Sequence, residues 1–264
     1  MTLSRDKTTL RIVSLAPSAT SILCAIGATN MLVGVTKWCA EVAPVDGFPK
    51  LGDCWHLDSV DEILKLQPSL VIGSVPFKQE TVAKLLEHPL TFLAKNPRTL
   101  ADIENDIRML GRITGRLSSA ERLVRRMRRE FSAIAKKGSA IRDRLRVYCE
   151  AWPHPRISSP PWVAEIVKIC GGEMVLPAGQ KVSEEQVAEA QPEVIVLAWA
   201  ATGDKSKPQK AYQVAAWKGV PAIQDKQVYV MRDELLNTPG PPLVGGAKQL
   251  FRIFKKAAAE EKKA

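Results

Sequence analysis

The sequence has no apolar run approaching the roughly 18 residues that a membrane-spanning helix needs, so no membrane insertion is expected. Its first residues, MTLSRDKTTL, are too polar to form the apolar region of a secretory signal peptide. On this basis we predict a cytoplasmic protein. The alternative is a periplasmic protein whose leader has been removed.

The chain also lacks the patterns that build metal, disulfide or catalytic sites. Its five cysteines form no Cys-x-x-Cys pair, which favours buried reduced thiols, and no His-Glu or Cys-His cluster supports a protein-built metal site. No Gly-rich phosphate loop followed by Lys-Ser or Lys-Thr occurs, and no serine lies in a Gly-x-Ser-x-Gly elbow. We therefore expect no intrinsic cofactor, and any metal would arrive inside a ligand.

Charge is plentiful and its excess is positive, with a net charge of +10. Much of it lies in RLVRRMRREFSAIAKKGSAIRDRLR, where Leu123, Val124, Met127, Phe131 and Ile134 recur at helical spacing. The arginines then occupy the opposite, solvated face of a helix, and no aromatic residues are interleaved among them as stacking platforms. A solvated helix is favoured over a nucleic-acid-binding patch.

Short β-rich runs alternate with helical patterns over most of the chain, which predicts an α/β protein with parallel sheets. We predict seven strands, at Arg11–Leu15, Leu32–Val35, Leu70–Val75, Leu90–Leu93, Leu145–Ala151, Val194–Trp199 and Val228–Met231. We predict six helices between them, at Ala19–Ile26, Val60–Leu66, Gln79–Glu87, Trp162–Cys170, Glu184–Ala190 and Leu243–Lys256.

The middle of the chain, from Thr99 to about Arg142, reads as helical, with a break at Gly115 after which Ser118 or Ser119 can cap a second helix. That helix would be about 36 Å long and join two lobes. The predicted divisions are an N-terminal α/β lobe (1–116), a backbone helix (117–143) and a C-terminal α/β lobe (144–264). A ligand cleft between two Rossmann-like lobes is expected at the carboxyl ends of their strands.

One segment of the N-terminal lobe is similar in sequence pattern to one segment of the C-terminal lobe. LDSVDEILKLQPSLVIGSV and VSEEQVAEAQPEVIVLAWA both read as a serine, a short acidic helix, Gln-Pro and a buried strand. Pro68 and Pro192 end the helices, because the residue before a proline is disfavoured in the helical region.

Taken in order, several segments resemble the vitamin B12-binding proteins that serve ABC importers, within the wider class of helical-backbone metal receptors. The resemblance spans roughly Leu10 to Phe254. It is carried by RIVSLAPSATSILCAIGA, LVGVTKWC, LKLQPSLVIGSV, EIVKICGGEMVL, VSEEQVAEAQPEVIVLAW and NTPGPPLVGGAKQL. It implies a monomeric bilobal binding protein, not an enzyme, with a rigid helix between its lobes, a corrinoid ligand and an ABC permease as a possible partner.

In this interpretation the Pro17-Ser18 turn brings the first strand and helix to the cleft floor, where the N–H groups of Ala19 and Thr20 could meet a polar ligand edge. By the resemblance Ser18 and Ala19 are ligand-binding residues, although from the residues themselves Ser18 is most simply a helix cap. The resemblance also assigns the segment containing Pro239 and Gly240 to the ligand site.

Tryptophans follow strands or lie in loops, where a cleft is expected, and flat rings suit a large planar ligand. By the resemblance, Trp38 and Trp55 match aromatic positions that touch the corrin ring, and Trp152 and Trp199 face them from the second lobe. Trp162, which opens a helix close behind, is also predicted to bind the ligand, and Trp217 is assigned to core packing. The alternative is that these rings only fill inter-lobe packing.

Two of the three histidines, His56 and His154, lie beside these tryptophans, and a neutral imidazole could be an axial ligand to cobalt or iron. His88 is read as a helix-end residue. By the resemblance, Glu80 and Glu185 would dock onto a permease, although acidic residues at helix starts are also ordinary dipole partners.

Two other functions stay open. A ferric siderophore or haem could replace the corrinoid on the same fold, which usually calls for arginines or tyrosines in the cleft; the tyrosines are Tyr148, Tyr212 and Tyr229. A metal-chelatase-like enzyme would need a base and a metal-holding cluster, which the sequence does not assemble.

Overall fold

The computed structural model describes residues 10–57, 59–141, 143–200 and 207–261, which form two compact units. The first unit contains the described residues up to Asn96 together with Asp106–Leu123. The second contains Pro97–Asn105 and the described residues from Val124 onward. The predicted α/β class with two parallel-sheet lobes is confirmed.

The first unit is built on a parallel sheet in the order β3-β2-β1-β4-β5. Its strands are β1 (Ile12–Ser14), β2 (Leu32–Thr36), β3 (Lys50–Leu51), β4 (Leu70–Ser74) and β5 (Phe92–Lys95). Its own helices are α1 (Pro17–Ala25), α2 (Asp61–Lys65) and α3 (Gln79–Leu86), with a 3-10 helix at Lys37–Glu41. Every residue of β1 and β4 is buried, as expected for central strands covered on both faces.

The second unit has β9 and β8 parallel to the nine-residue β6, with β10 parallel to β9 and β7 antiparallel to β6. Its strands are β6 (Leu145–Pro153), β7 (Arg156–Ser158), β8 (Gly172–Met174), β9 (Val194–Leu197) and β10 (Val228–Val230). Its own helices are α6 (Pro161–Ile169), α7 (Glu184–Glu189), α8 (Gln209–Tyr212), α9 (Pro221–Gln224), α10 (Glu234–Asn237) and α11 (Pro242–Glu261).

Two further helices, α4 (Leu100–Ile113) and α5 (Leu117–Gly138), each contribute residues to both units. The break between them falls at Gly115, which has a φ of 66°. Because α5 begins at Leu117, both Ser118 and Ser119 lie inside the helix, so the prediction that one of them caps it is wrong. The helix has 22 residues and ends at Gly138, earlier than expected, where a Cβ would lie 2.4 Å from the carbonyl oxygen of Ile169.

The sequence similarity between the two lobes corresponds to a shared local structure. Gln67 and Gln191, each directly before its proline, adopt the left-handed conformation with φ of 45° and 44°. In the first unit the Arg11 guanidinium donates a 2.7 Å hydrogen bond to the carbonyl of Leu66, and in the second Arg146 donates one of 2.6 Å to Ala190. Each arginine thus satisfies carbonyls at a helix C-terminus, where a cation is also favoured by the helix dipole.

Candidate ligand-binding site

The turn from β1 into α1 is held by backbone geometry and not by a side-chain cap. Pro17 occupies the first helical position, and the capping position is Ala16, which makes no side-chain hydrogen bond. The prediction that Ser18 caps the helix is therefore wrong. Its hydroxyl is buried without a partner among the described residues.

The backbone N–H of Thr20 donates to the carbonyl of Ala16 at 3.1 Å, so the expectation that this group is available to a ligand is also wrong. Ala19, the other predicted contact, is fully buried. At the end of β1 the Ser18 hydroxyl is thus a polar group without a partner in the described part of the chain, whereas the Thr20 N–H group is already bonded within the helix.

Trp38 lies on the 3-10 helix that follows β2, and a buried polar network fixes that helix. The Thr20 hydroxyl donates to Oγ of Ser14 at 2.8 Å and contacts Sγ of Cys39 at 3.1 Å, and Thr36 reaches the same sulfur at 3.2 Å. Burial raises the pKa of Cys39 despite these hydrogen bonds, so the thiol stays protonated near neutral pH. Trp38 itself is half-buried beside this anchor, with the Lys37 ammonium 4.7 Å from its ring centroid.

Trp55 is presented by a tight turn after β3. Oδ1 of Asp53 accepts the backbone N–H groups of Trp55 at 2.8 Å and His56 at 2.7 Å, while the N–H of Asp53 donates to the His56 carbonyl. A Cβ on Gly52 would lie 2.3 Å from that carbonyl oxygen, so the turn requires glycine. The result is an indole that is 50% exposed, with the His56 imidazole exposed beside it.

In the second unit Trp152, near the end of β6, is 41% exposed. Its indole Nε1 donates a 2.9 Å hydrogen bond to the carbonyl of His154, whose side chain is exposed. This bond restrains the ring while leaving much of its surface available. Trp55 and Trp152 are thus the two tryptophans with large exposed surfaces among the described residues.

Two residues before Trp152 on β6, the carboxylate of Glu150 is fully buried. Glu150 accepts hydrogen bonds from the Tyr148 hydroxyl at 2.8 Å, from Nε1 of Trp199 at 2.8 Å and from the Arg156 guanidinium at 3.0 and 3.1 Å. Glu184 accepts a second bond from the same guanidinium at 2.9 Å. A buried charge is tolerated only when it is paired and hydrogen-bonded, and this one is.

These charges fix the ionisation states of the cluster. Burial would lower the pKa of Arg156, but the charges and hydrogen bonds of Glu150 and Glu184 outweigh it, so the pKa is raised. Burial and the neighbouring Glu150 raise the pKa of Tyr148 well above its usual value. Tyr148 therefore remains a neutral donor and Arg156 a cation at neutral pH.

A cavity of about 360 Å³ opens beside this cluster in the second unit. Trp199 lines it although its side chain is only 3% exposed, and the Lys210 ammonium lies 5.0 Å from the Trp199 ring centroid. Trp217, also on the lining, is fully buried as expected and donates from Nε1 to the Glu184 carbonyl at 3.0 Å.

Trp162, placed by the sequence at the ligand, is buried at the start of α6 with 2% exposure, and its Nε1 donates to the carbonyl of Leu236 at 2.8 Å. The expected ligand contact is not supported by this placement, because neither the ring surface nor its donor is available. Pro239 and Gly240 lie in the buried segment between α10 and α11.

The two glutamates assigned to docking both lie at the start of a helix. Glu80 lies in the first turn of α3 and Glu185 in the first turn of α7, and both are exposed. Hydrogen bonding by the Ser183 side chain lowers the pKa of Glu185. Both are therefore positioned as surface carboxylates, each in its own unit.

Sequence reasoning missed Glu150, Arg156 and Gly52. The signal for Glu150 was an acidic residue directly after the buried run 147–149 of the strand. No sequence pattern around Arg156 indicated that its guanidinium pairs with Glu150. Among the described residues, no cluster of three His, Cys, Asp or Glu side chains could hold a metal ion, and no helix is long and apolar enough to cross a membrane.

Comparison with known proteins shows that the chain is similar to substrate-binding proteins. The model of a family described as periplasmic binding protein matches residues 12–235. A vitamin B12-binding protein of Vibrio parahaemolyticus is 28% identical over 256 residues, covering 93% of this chain and 89% of the relative. An uncharacterized ABC transporter substrate-binding lipoprotein of Bacillus subtilis, YvrC, is 25% identical over 253 residues, covering 91% and 78%.

Among solved structures, the periplasmic heme-binding protein RhuT from Roseiflexus superposes with a TM-score of 0.78 at 24% identity, covering 95% of this chain and 99% of that one. At this identity the likeness concerns the fold alone.

Proposed function

Because the chain belongs to the periplasmic binding protein family, we propose that it is the substrate-binding component of an ABC importer and that its ligand is a corrinoid. The observation that carries the choice of ligand is the pair of exposed indoles, Trp55 and Trp152, each beside the end of a strand in its own unit. Such rings bind a broad, flat, mostly apolar ligand by stacking and apolar burial. The named relative that binds vitamin B12 supports this choice.

Haem or a ferric siderophore is the alternative ligand, and the tyrosines argue against a tyrosine-held iron. Tyr148 is buried with its hydroxyl bonded to Glu150, and the Tyr229 hydroxyl donates to Gln227 at 2.6 Å. Tyr212, 36% exposed, is the tyrosine with a more accessible ring. Two of the three tyrosine hydroxyls are therefore engaged within the protein, and the preference for a corrinoid over an iron chelate is supported by the named relative.

We also propose that His56 or His154 supplies an axial ligand to the corrinoid cobalt, since both imidazoles are exposed beside an exposed tryptophan. Coordination would change the visible spectrum of aquocobalamin, and His56→Ala or His154→Ala would abolish that change. If neither variant alters the spectrum of the bound corrinoid, the metal keeps its own ligands.

The relatives favour a site of action outside the cytoplasm, since one is named a lipoprotein and the family is described as periplasmic. We therefore propose the periplasmic alternative over the cytoplasmic one. Glu80 and Glu185 are proposed to contact the permease, and reversing both to lysine should abolish ligand transfer to a reconstituted permease while leaving ligand affinity unchanged.

The ligand is identified by incubating purified protein with cobalamin, haemin and a ferric siderophore, followed by gel filtration and visible spectra of the protein peak. We expect cobalamin to co-elute and to quench tryptophan fluorescence strongly. Co-elution of haemin without cobalamin would transfer the assignment to the alternative ligand, and co-elution of neither cobalamin nor any iron chelate would overturn both.

A further inference from the structure

Helix α5 carries a row of cations that the ligand-binding function does not use. Within the second unit, its exposed residues Arg125, Arg126, Arg129, Lys136 and Lys137, hereafter the basic stripe, fall in an arc of about 120° at 3.6 residues per turn. They extend over about 18 Å of helix. The opposite face of α5 is apolar and buried, so the stripe faces solvent along its whole length.

A second row adjoins the first. On α11 the exposed side chains of Lys248, Arg252 and Lys255 share one face. Lys248 pairs with Glu130 of α5 at 2.7 Å, and Arg126 and Lys248 line one groove of about 300 Å³. The two rows therefore adjoin at this groove and together make up the basic surface of the second unit.

Few acidic groups interrupt this surface. Glu130 lies at its centre but is already paired with Lys248, whose hydrogen bond and charge lower the pKa of that carboxyl. Glu260 lies near the C-terminal end of α11, where it accepts a hydrogen bond from Gln227. Cations three or four residues apart, such as Arg125 and Arg129, repel one another on a helix and destabilise it. Binding to an anionic surface would reduce this repulsion.

We propose that this basic surface holds the protein against an anionic phospholipid bilayer. A double row of long cationic side chains can contact a plane of phosphate headgroups, to which basic segments bind within a Debye length. A nucleic acid fits less well, because among the described residues no large exposed aromatic side chain on which bases could stack lies on α5 or α11. The proposal is independent of which ligand the protein binds, and needs only a protein that works beside a membrane.

The test is a flotation assay with full-length protein and vesicles of phosphatidylcholine alone or with about one quarter phosphatidylglycerol, at about 0.05 and 0.15 M salt. The variant is Arg125→Gln/Arg126→Gln/Arg129→Gln. Its matched control, Lys65→Gln/Lys84→Gln/Lys218→Gln, removes three exposed cations outside both rows and has the same net charge. Glutamine keeps helix propensity, and circular dichroism checks that both variants fold.

We expect wild type and control to bind anionic vesicles but not neutral ones, more weakly at the higher salt. The stripe variant should lose about tenfold to a hundredfold in affinity. Equal binding by the two variants would overturn the proposal, because net charge alone would then account for it, and so would failure of wild type to bind at the lower salt. Tighter binding of a short DNA duplex, lost in the stripe variant, would also overturn it in favour of a nucleic acid.

Discussion

The indole Nε1 of Trp199 donates a 2.8 Å hydrogen bond to Oε1 of Glu150, and both side chains are buried. The same carboxylate is paired with Arg156, so one strand residue orients a tryptophan and neutralises a cation at the wall of a cavity. The buried charge of Glu150 therefore holds Trp199 and Arg156 in place on the lining of the cavity.

Glu150→Gln should therefore lower stability more than an ordinary polar substitution. All groups around this carboxylate are donors, so the amide NH₂ would face them and the buried Arg156 would lose one of its two counter-charges. Breaking a buried ion pair costs about 3–5 kcal/mol in the free energy of unfolding. Urea denaturation measures it, and the exposed Glu189→Gln should change it by less than about 0.5 kcal/mol. Equal effects of the two substitutions would contradict the role of the cluster.

Trp55→Ala and Trp152→Ala should each weaken corrinoid binding roughly 5- to 150-fold, because each ring contributes about 1–3 kcal/mol by apolar burial against the ligand. Stability should fall less than on truncation of a buried tryptophan, since about half of each residue's surface is already exposed in the free protein. Fluorescence quenching titrations provide the affinities. Leu86→Ala, at a side chain that is 63% exposed on α3, is the control for removing an exposed apolar group.

The buried tryptophans should behave differently. Trp217→Ala should chiefly lower the melting temperature, since truncating a fully buried aromatic costs about 3–5 kcal/mol. Trp199→Ala should lower it as well, in addition to weakening binding through the cavity it lines. Unchanged corrinoid affinity in the Trp55 and Trp152 variants would show that the ligand binds elsewhere.

Gly52→Ala should impair binding by displacing Trp55. The new Cβ would lie 2.3 Å from the His56 carbonyl oxygen and 2.8 Å from Cα of Leu57, so the backbone of the turn would have to move. We expect a loss of corrinoid affinity comparable to that of Trp55→Ala. Gly47→Ala is the matched control, because a Cβ there meets nothing within 4 Å. Full affinity in the Gly52 variant would mean that the turn does not position the ring.

Stability should fall as the pH rises above about 9, and Cys54 should account for part of the slope. Burial raises the pKa of this thiol from 9.0 to about 12. Between those values the unfolded chain loses the proton while the folded protein keeps it, so the free energy of unfolding falls by about 1.4 kcal/mol per pH unit from this group. The stabilisation is complete below pH 9 and lost towards pH 12.

Urea denaturation across this range tests the effect with Cys54→Ala, which should show a shallower slope than wild type. Val71→Ala, a core truncation without a titrating group, should reduce stability at every pH while keeping the wild-type slope. Parallel curves for wild type and the cysteine variant would contradict the shifted pKa.

The sequence by itself determined the alternating α/β order, the Gln-Pro stops at Pro68 and Pro192 and the cationic face of α5, since these depend on periodicity and on the backbone preferences of near neighbours. Tertiary structure alone decided which tryptophans are accessible. Trp152 is 41% exposed but Trp162 only 2%, although the two are ten positions apart. Exposure depends on what packs against a ring from distant segments, such as the Leu236 carbonyl that binds Trp162. Of the partners of Glu150, Tyr148 lies on the same strand, but Trp199 comes from 49 positions along the chain, so no local pattern could indicate it.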